Sequence, residues 1–557
     1  VHAILGINCF SHDTSAALLV DDQLVAFGEE ERFNRESHTG SFPHQSVASV
    51  LRQGGIDISD VSYVAFAHRP QDDLRRGALD ALKRRAPRRL LAQAVVDGRL
   101  ASRSQLFRRT WGYRGPLLFV PHHVAHAAGT YFSSPFDGAA VLTLDRGGDF
   151  VSTTASVGRD NVLDLVREIR NPDSLGEVYT AVSSFLGFRP QDEGRVTGLA
   201  PYGTATYVDG LRDLITLQPD GGFSVNLEWF GYHAGGPPVS GAFVERYGRP
   251  RLPGTEITDR DKDVAHALQD LTEEAVLHVA RALRRSTSSV NLCLSGGVAL
   301  NPLINTRVLD EAGFDDIWIQ PVSGDAGNAI GAALWVCHGH LGRPRSWRMA
   351  DARCGESWSD LDCATALRRA GLPADRVESP ASEAARRLAE SKVVGWFQGR
   401  AEAGPQALGS RSLLADPRAA TTRDRVNRRV TDREWFRPLA SSVLHERGAE
   451  LLDRYHLSPF KQYVLPVRDS MQAVIPAATH VDGTARVQSV RRHPDPDLHE
   501  LLVQFDALTG VPAVVHTGFS PPGEPMVHRP GEAVAEYLRS DMDSLVLGPY
   551  VVDKPAA

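Results

Sequence analysis

AILGINCFSHDTSAALLVDDQLVAFG, residues 3–28, and AAVLTLDRGGDFVSTTASVGRDNVLDLV, residues 139–166, share one pattern. In the first, Ala3–Ile7 is an apolar run of strand length and Asn8–Asp13 a polar loop. A second strand, Ser15–Val20, a tight turn at Asp21-Asp22 and a third strand, Leu24–Gly28, complete it. In the second, strand Ala139–Leu144 leads into a loop, Asp145–Asp149, then strand Val151–Val157, a turn over Gly158–Asn161 and strand Val162–Val166. Apolar runs of this length, separated by Gly, Asp and Asn, read as strands and turns. Two copies of one unit point to an internal duplication, with two unrelated β-meanders as the alternative.

Beyond the second copy the period changes. Leu268, Leu271, Ala275, Val279 and Ala282 recur at helical spacing, which predicts a helix over 263–284. Strand Val290–Leu294 then runs into Ser295-Gly296-Gly297 and a helix from Val298, with Asn301 close behind. Strand Ile317–Ile319 runs into the loop Ser323–Gly327 and a further helix. Both loops set small residues at a helix start, where free N–H groups and the helix dipole favour a phosphate. Gly147 and Gly148, in the duplicated loop, let the backbone come close to an anion in the same way. These positions are the candidate nucleotide contacts.

Residues 121–128 read Pro-His-His-Val-Ala-His-Ala-Ala. A helix beginning near Pro121 brings His122 and His126, at i and i+4, onto one face. Taken alone such a pair is more often two ordinary helix histidines. Asp145 ends a buried strand, where an unpaired carboxylate is costly, and Asp325 holds the analogous position of the later unit. Singly, each Asp reads more often as a cap or turn residue. Together the four form a mixed N/O set suited to iron(II), manganese or zinc.

The pattern breaks between Trp347 and Trp358, and a domain boundary is expected near residue 352, giving domains 1–352 and 353–557. The second half is rich in arginine: Arg411, Arg423, Arg425, Arg428, Arg429, Arg433 and Arg437. Arg423–Arg429 reads best as a solvated basic helix. Arg437 differs, because Trp435-Phe436 and Pro438 flank it and its fork is suited to phosphate oxygens.

Composition sets outer limits. The 557 residues are 42% hydrophobic and 23% charged with net charge -7, which disfavours a nucleic-acid-coating protein. The one basic run, from Arg75 to Arg109, reads as a solvated helical face. No apolar run approaches the ~18 residues of a membrane span, so no membrane role is expected. The five cysteines are scattered without a CxxC, which suits a reducing compartment; a cytoplasmic location is expected.

Duplicated strand–loop–strand–turn–strand units resemble the sugar-kinase/Hsp70/actin superfamily, in which two halves flank a nucleotide cleft. His122-His123-x-x-Ala125-His126, the strand ending in Asp145, Ser295-Gly296-Gly297-Val298-Ala299-Leu300-Asn301 and Asp325 resemble the N-terminal domain of the NodU/CmcH O-carbamoyltransferases. That domain is similar to the threonylcarbamoyladenosine synthase. Gly6-Ile7-Asn8, His12-Asp13, Glu29–Phe33 and Gly194–Ala200 match as well. The later half resembles the family's YrdC-like domain, from Gly404-Pro405 through Arg433-Glu434-Trp435 and Arg437-Pro438 to Gly548-Pro549-Tyr550.

The resemblance implies an ATP-dependent enzyme that moves a carbamoyl group from carbamoyl phosphate, through carbamoyl-adenylate, to a hydroxyl of a secondary metabolite, as in antibiotic biosynthesis. It implies that His122, His126, Asp145 and Asp325 hold an iron-type cation beside the nucleotide, with Mg accompanying ATP. Arg437 and Arg486 would grip carbamoyl phosphate, and His12, beside Asp13, would serve as general base on the acceptor. Departures stand at four positions. Where the family has Lys, Arg, Lys and Asn, this chain has Ser37, Gln406, Thr431 and His516. Three cations are thereby lost, and a protonated His516 is the expected compensation. The alternative is a repurposed member that keeps the metal and nucleotide sites but transfers or condenses another group. The acceptor loops are expected within 75–109 and 221–253. The oligomeric state is not legible, though a homodimer is compatible with the sequence.

Overall fold

The computed structural model describes residues 2–69, 98 and 102–554. Most of the basic run from Arg75 falls outside the described residues. The chain forms two compact units, Val1–Glu30 with His38–Met349, and Glu31–Ser37 with Ala350–Ala557. The division is not contiguous, because the short segment Glu31–Ser37 packs with the later residues.

In the first unit β1 (Ala3–Asn8), β2 (Ser15–Val20), β3 (Gln23–Glu29), β4 (Val61–Ala67) and β5 (Leu117–Val120) form a sheet ordered β3-β2-β1-β4-β5. The strands β6 (Gly138–Gly148), β7 (Val151–Arg159) and β8 (Val162–Arg170) repeat the opening hairpins. After the small pair β9 (Ile215–Leu217) and β10 (Phe223–Val225), β11 (Asn291–Ser295) and β12 (Asp316–Ile319) complete a second sheet, ordered β12-β11-β6-β7-β8. Read from the other edge this is the first order again. In each copy the first strand pairs antiparallel with the second and parallel with the crossover strand. The architecture is that of the sugar-kinase/Hsp70/actin fold, α/β and duplicated.

The copies differ where the chemistry lies. In the first, Cys9–Thr14 remains a loop, with Phe10 and Asp13 at φ of 72° and 53°. In the second, the residues expected as a loop belong to β6, which shifts register between Leu144 and Gly148 and turns at Asp149-Phe150, both at positive φ. The irregular stretch releases Asp145 and Arg146 from ladder pairing while keeping the strand direction. The long helix starts earlier than its apolar spacing predicts, at Asp259, because Thr258 and Asp261 form a reciprocal capping box. Segment 221–253, expected as loop, contains β10 and the helix Gly241–Tyr247.

Helices His122–Ser133 and Asn328–Leu334 pack together between the strands of this unit through small residues. A Cβ on Gly331 would stand 1.8 Å from the Ala125 carbonyl oxygen, and one on Gly6 of β1 would stand 1.9 Å from that of Ala329. This close approach fixes the start of the second helix against the first turn of the other.

The second unit is built on a nine-stranded mixed sheet. Its strands are β13 (Asp375–Arg376), β14 (Val394–Phe397), β15 (Arg411–Ala415), β16 (Ala440–Leu444), β17 (Tyr463–Pro466), β18 (Thr484–Val490), β19 (Ala513–Gly518), β20 (Ser544–Leu547) and β21 (Tyr550–Asp553). Their order is β13-β21-β20-β14-β15-β19-β16-β18-β17. Helices Asp360–Arg369, Pro380–Ala389, Pro496–Thr509 and Pro530–Arg539 accompany it, and Trp396 is fully buried. Among the described residues no helix is long and apolar enough to cross a membrane.

Candidate functional site

Helix His122–Ser133 begins at Pro121, which has no side chain to cap it. Asp149, from the turn after β6, supplies the missing acceptor: its Oδ2 takes the backbone N–H of His122 at 2.6 Å, and its Oδ1 takes that of Arg69 at 2.8 Å. One turn residue thus fixes the origin of the helix and with it the direction of His122. Gly148 completes the seat, since a Cβ there would lie 2.2 Å from Cγ of the His122 ring.

Four donors converge on one point. Nε2 of His122 lies 3.0 Å from Asp145 Oδ2 and 3.1 Å from Nε2 of His126, which lies 3.2 Å from Asp145 Oδ2. Asp325 Oδ1 stands 3.5 and 3.4 Å from the same two nitrogens. All four residues are buried. Neighbouring ligands held at roughly 2.0–2.2 Å from a cation would be about 3.0–3.4 Å apart, whether the ion takes six ligands or four, close to these separations. Asp325 Oδ1 makes no well-formed hydrogen bond. An orphaned buried carboxylate oxygen is expensive, and a divalent cation offsets it. The donor set therefore fits the expected iron-type ion. Ser295 Oγ lies 3.4 Å from Nδ1 of His126 and donates to the Ser323 carbonyl, so it accepts the Nδ1 proton and leaves Nε2 free to ligate. His123, between them in sequence, points elsewhere. It bridges Thr143 Oγ1 and the Val151 carbonyl, and burial, helped by His122 and His126, holds it far below the usual imidazole range.

Burial disfavours charge on Asp145, yet its hydrogen bonds to His122 and His126 hold it well below the ordinary carboxylate range. Burial works against a proton on His126, but Asp145 and Asp325 raise it to about 9. His12, in the β1–β2 loop, reaches the same cluster: Nδ1 is 2.9 Å from Asp13 Oδ2 and Nε2 is 3.4 Å from Asp325 Oδ2. Asp13 is held from its other side by Nδ1 of His38 at 2.7 Å. Burial opposes charge on His12, but Asp325 and Asp13 outweigh it and raise the imidazole to about 10. Within the protein's own charges His12 is a donor, and a cation shared by Asp325 and Asp145 is what would lower it.

The candidate nucleotide residues divide. Gly296, at φ 96°, lies where a Cβ would meet the Leu144 carbonyl oxygen at 2.1 Å, and Gly297 sends its N–H to Asp145 Oδ1 at 3.3 Å. Both border the four-donor cluster. Gly147 fits against the Asn171 side chain. Asn301 is committed to structure: its Oδ1 accepts from the N–H groups of Leu303 and Ile304, and its Nδ2 donates to Gln269. A cavity of about 550 Å³ opens beside His122, walled by Val124, Phe132, Leu163 and Trp335 with Arg69 and Asp149.

In the second unit Arg437 and Arg486 share a neighbourhood with a residue that the motifs do not mark. Arg486 Nε donates to the Lys461 carbonyl at 2.8 Å, and Lys461 Nζ donates to that of Ala407 at 2.6 Å. Lys461 is 1% exposed. Burial, then Arg486, pushes its amine well below the ordinary lysine range. Burial, then Arg437, pulls Arg486 down to about 10. The expected compensation by a charged His516 is not found. That ring is fully buried between Ser442 Oγ and Ser412 Oγ, each at 2.6 Å, and burial followed by Lys461 holds it neutral. Thr431, where a cation was missed, turns its hydroxyl to the Val426 carbonyl. Arg411, also singled out by sequence, caps the carbonyls of Gln398, Gly399 and Ser410 and lies over the Phe397 ring.

Residues 3–334 match the family model of the carbamoyltransferase N-terminus, and residues 385–554 that of the carbamoyltransferase C-terminus. The chain belongs to the carbamoyltransferase family. Among its relatives, the carbamoyltransferase is 38% identical to "Uncharacterized protein sll1178" of Synechocystis sp., over 99% of this chain and 97% of that one. It is 36% identical to "Nodulation protein NolNO" of Sinorhizobium fredii, over 99% of this chain and 80% of the other. "Nodulation protein NolO" of Bradyrhizobium diazoefficiens is 38% identical over 78% and 79% of the two chains. The carbamoyltransferase is thus an enzyme that transfers a carbamoyl group, and both halves of its family signature are present.

Proposed function

We propose that this carbamoyltransferase draws its carbamoyl group from carbamoyl phosphate with ATP as co-substrate and delivers it to a hydroxyl of a small-molecule acceptor. The observation that carries the reading is the buried set His122, His126, Asp145 and Asp325, bordered by the glycine loop at Gly296-Gly297. In the second unit Arg437, Arg486 and Lys461 bind the phosphate of carbamoyl phosphate. Water takes that phosphate and leaves carbamate. The carbamate oxygen attacks the α-phosphate of ATP, expelling pyrophosphate and giving carbamoyl-adenylate. In the first unit the acceptor oxygen attacks the carbamoyl carbon, AMP leaves, and the hydroxyl proton passes to His12. A divalent cation held by the four donors supplies charge neutralisation and carbonyl polarisation there. Asp13 orients the His12 ring through its 2.9 Å contact, and the adenylate phosphate is placed against the Gly296-Gly297 loop that borders the four donors. The cavity beside His122 is the reading's place for the acceptor body.

The test is direct. Protein supplied with ATP, carbamoyl phosphate, Mg and iron(II) should release pyrophosphate and accumulate carbamoyl-adenylate. A second reading, that the chain uses another acyl donor or a preformed adenylate, is favoured by the neutral His516 and by Thr431. Transfer from synthetic carbamoyl-adenylate without pyrophosphate release from ATP would decide for it.

A further inference from the structure

Asn328 stands three residues beyond Asp325, at the start of the helix that packs on the histidine helix. Its side chain is fully buried. The carboxamide nitrogen lies 3.1 Å from Nε2 of His126 and 3.5 Å from Nδ1 of His122, while the carboxamide oxygen has no hydrogen-bond partner. Oxygen and nitrogen of an amide are interchangeable by a half-turn, and the network around them decides which faces where.

Ligation changes that network. If Nε2 of His126 gives its lone pair to a cation, it no longer accepts from Asn328. If His122 ligates through Nε2, its Nδ1 carries a proton and needs an acceptor. An amide N–H in this corner would then face a cation and another N–H. An amide oxygen would face one positive ion and one donor, and the half-turn gives the oxygen that otherwise has no hydrogen-bond partner both of them. The corner is 3.1 Å from His126 Nε2, within the spacing of the other donors.

We infer that Asn328 turns its carboxamide oxygen onto the centre as a fifth protein donor. The inference rests on the reading that His122, His126, Asp145 and Asp325 hold a divalent cation. An all-oxygen-and-imidazole set of five suits iron(II), manganese or cobalt, which accept six ligands, over zinc, which favours four.

The experiment uses the full chain, stripped of metal and titrated with cobalt(II) as the probe, in the wild type and in Asn328→Leu and Asn328→Asp. Binding is followed by competition with a chromophoric chelator, and coordination by the visible absorption of bound cobalt. Wild type should bind one cobalt with the weak visible bands of a five- or six-coordinate ion. Asn328→Leu, close in shape, should bind ~10–100-fold more weakly and show the stronger bands of a four-coordinate ion. Asn328→Asp should restore the wild-type type of spectrum. If wild type binds no cobalt, the metal reading itself fails. If wild type binds but Asn328→Leu matches it in spectrum, whether or not affinity falls, Asn328 is not a donor and the inference is overturned. Should the Leu variant not fold, the decision passes to Asn328→Asp: an unaltered spectrum with tightened cobalt binding upholds the inference, and unchanged affinity overturns it.

Discussion

Nε2 of His122 and Nε2 of His126 lie 3.1 Å apart, one helical turn from each other, and Asp145 Oδ2 stands within 3.2 Å of both. That contact makes the two rings a unit, because removing either leaves the buried Asp145 Oδ2 with one of its two imidazole partners. His122→Ala and His126→Ala should each weaken iron(II) binding at least ~100-fold, taking second-sphere losses of 10–100-fold as a lower bound. Carbamoyl transfer should fall in proportion, while pyrophosphate release, assigned to the second unit, should persist. Metal content after gel filtration and the two activities measured side by side check this. Equal loss of both activities would contradict the division of labour.

Gly148 offers a gentler perturbation. A methyl group there would stand 2.2 Å from Cγ of His122, so the ring must move although every donor remains. Backbone conformation is not the obstacle, since Gly148 is not at positive φ. Gly148→Ala should therefore fold, with a thermal midpoint within a few degrees of wild type. It should lose about tenfold or more in metal affinity. Retained affinity would mean that His122 has slack that its seat between Gly148 and Asp149 does not suggest.

Lys461 separates stability from binding. A buried ammonium is costly to desolvate, which is why burial pushes this amine well below the ordinary lysine range, and an apolar side chain of similar length escapes that cost. A charged hydrogen bond to phosphate is worth ~1.5–3 kcal/mol, or roughly ten- to a hundredfold in affinity. Lys461→Met should raise the denaturation midpoint and raise the KM for carbamoyl phosphate by that factor. Turnover of preformed carbamoyl-adenylate should be unaltered. A variant that is stabilised but has an unchanged KM would remove Lys461 from the phosphate site and leave it as a tie between Ala407 and Arg486.

Much of this arrangement was legible beforehand, for reasons that can be named. The duplicated hairpins were readable because an apolar run of strand length and an Asp or Gly turn are local signals. His122 and His126 were readable because i, i+4 spacing fixes a face. Asp149, Asn328 and Lys461 were not. Asp149 acts through a hydrogen bond to a helix 27 residues away in reverse order. Asn328 lies at the centre only because Gly331 and Ala125 let two helices touch. Lys461 looks like a polar residue before a strand, and nothing in Phe460-Lys461-Gln462 announces that its amine is buried. The error over His516 has the same origin. Its charge state depends on β15, β16 and β19 closing around it, with partners 74 and 104 positions away.

That burial makes His516 the source of an acid-side instability. Its imidazole sits far below the ordinary value of 6.5 because burial, then Lys461, disfavours the charged form. The unfolded chain takes up this proton near pH 6.5 and the folded chain does not. The neutral ring's contribution is therefore fully present above pH 6.5 and is lost as pH falls below it, by about 1.4 kcal/mol per pH unit. His516→Asn keeps one donor and one acceptor for Ser412 and Ser442 but has no proton to gain. Between pH 7.5 and 5.5 the wild type should thus lose roughly 1–1.5 kcal/mol more than the variant. Urea unfolding of both proteins at the two pH values measures this difference. A variant that loses stability as steeply as wild type would show that His516 does not stay neutral in the fold.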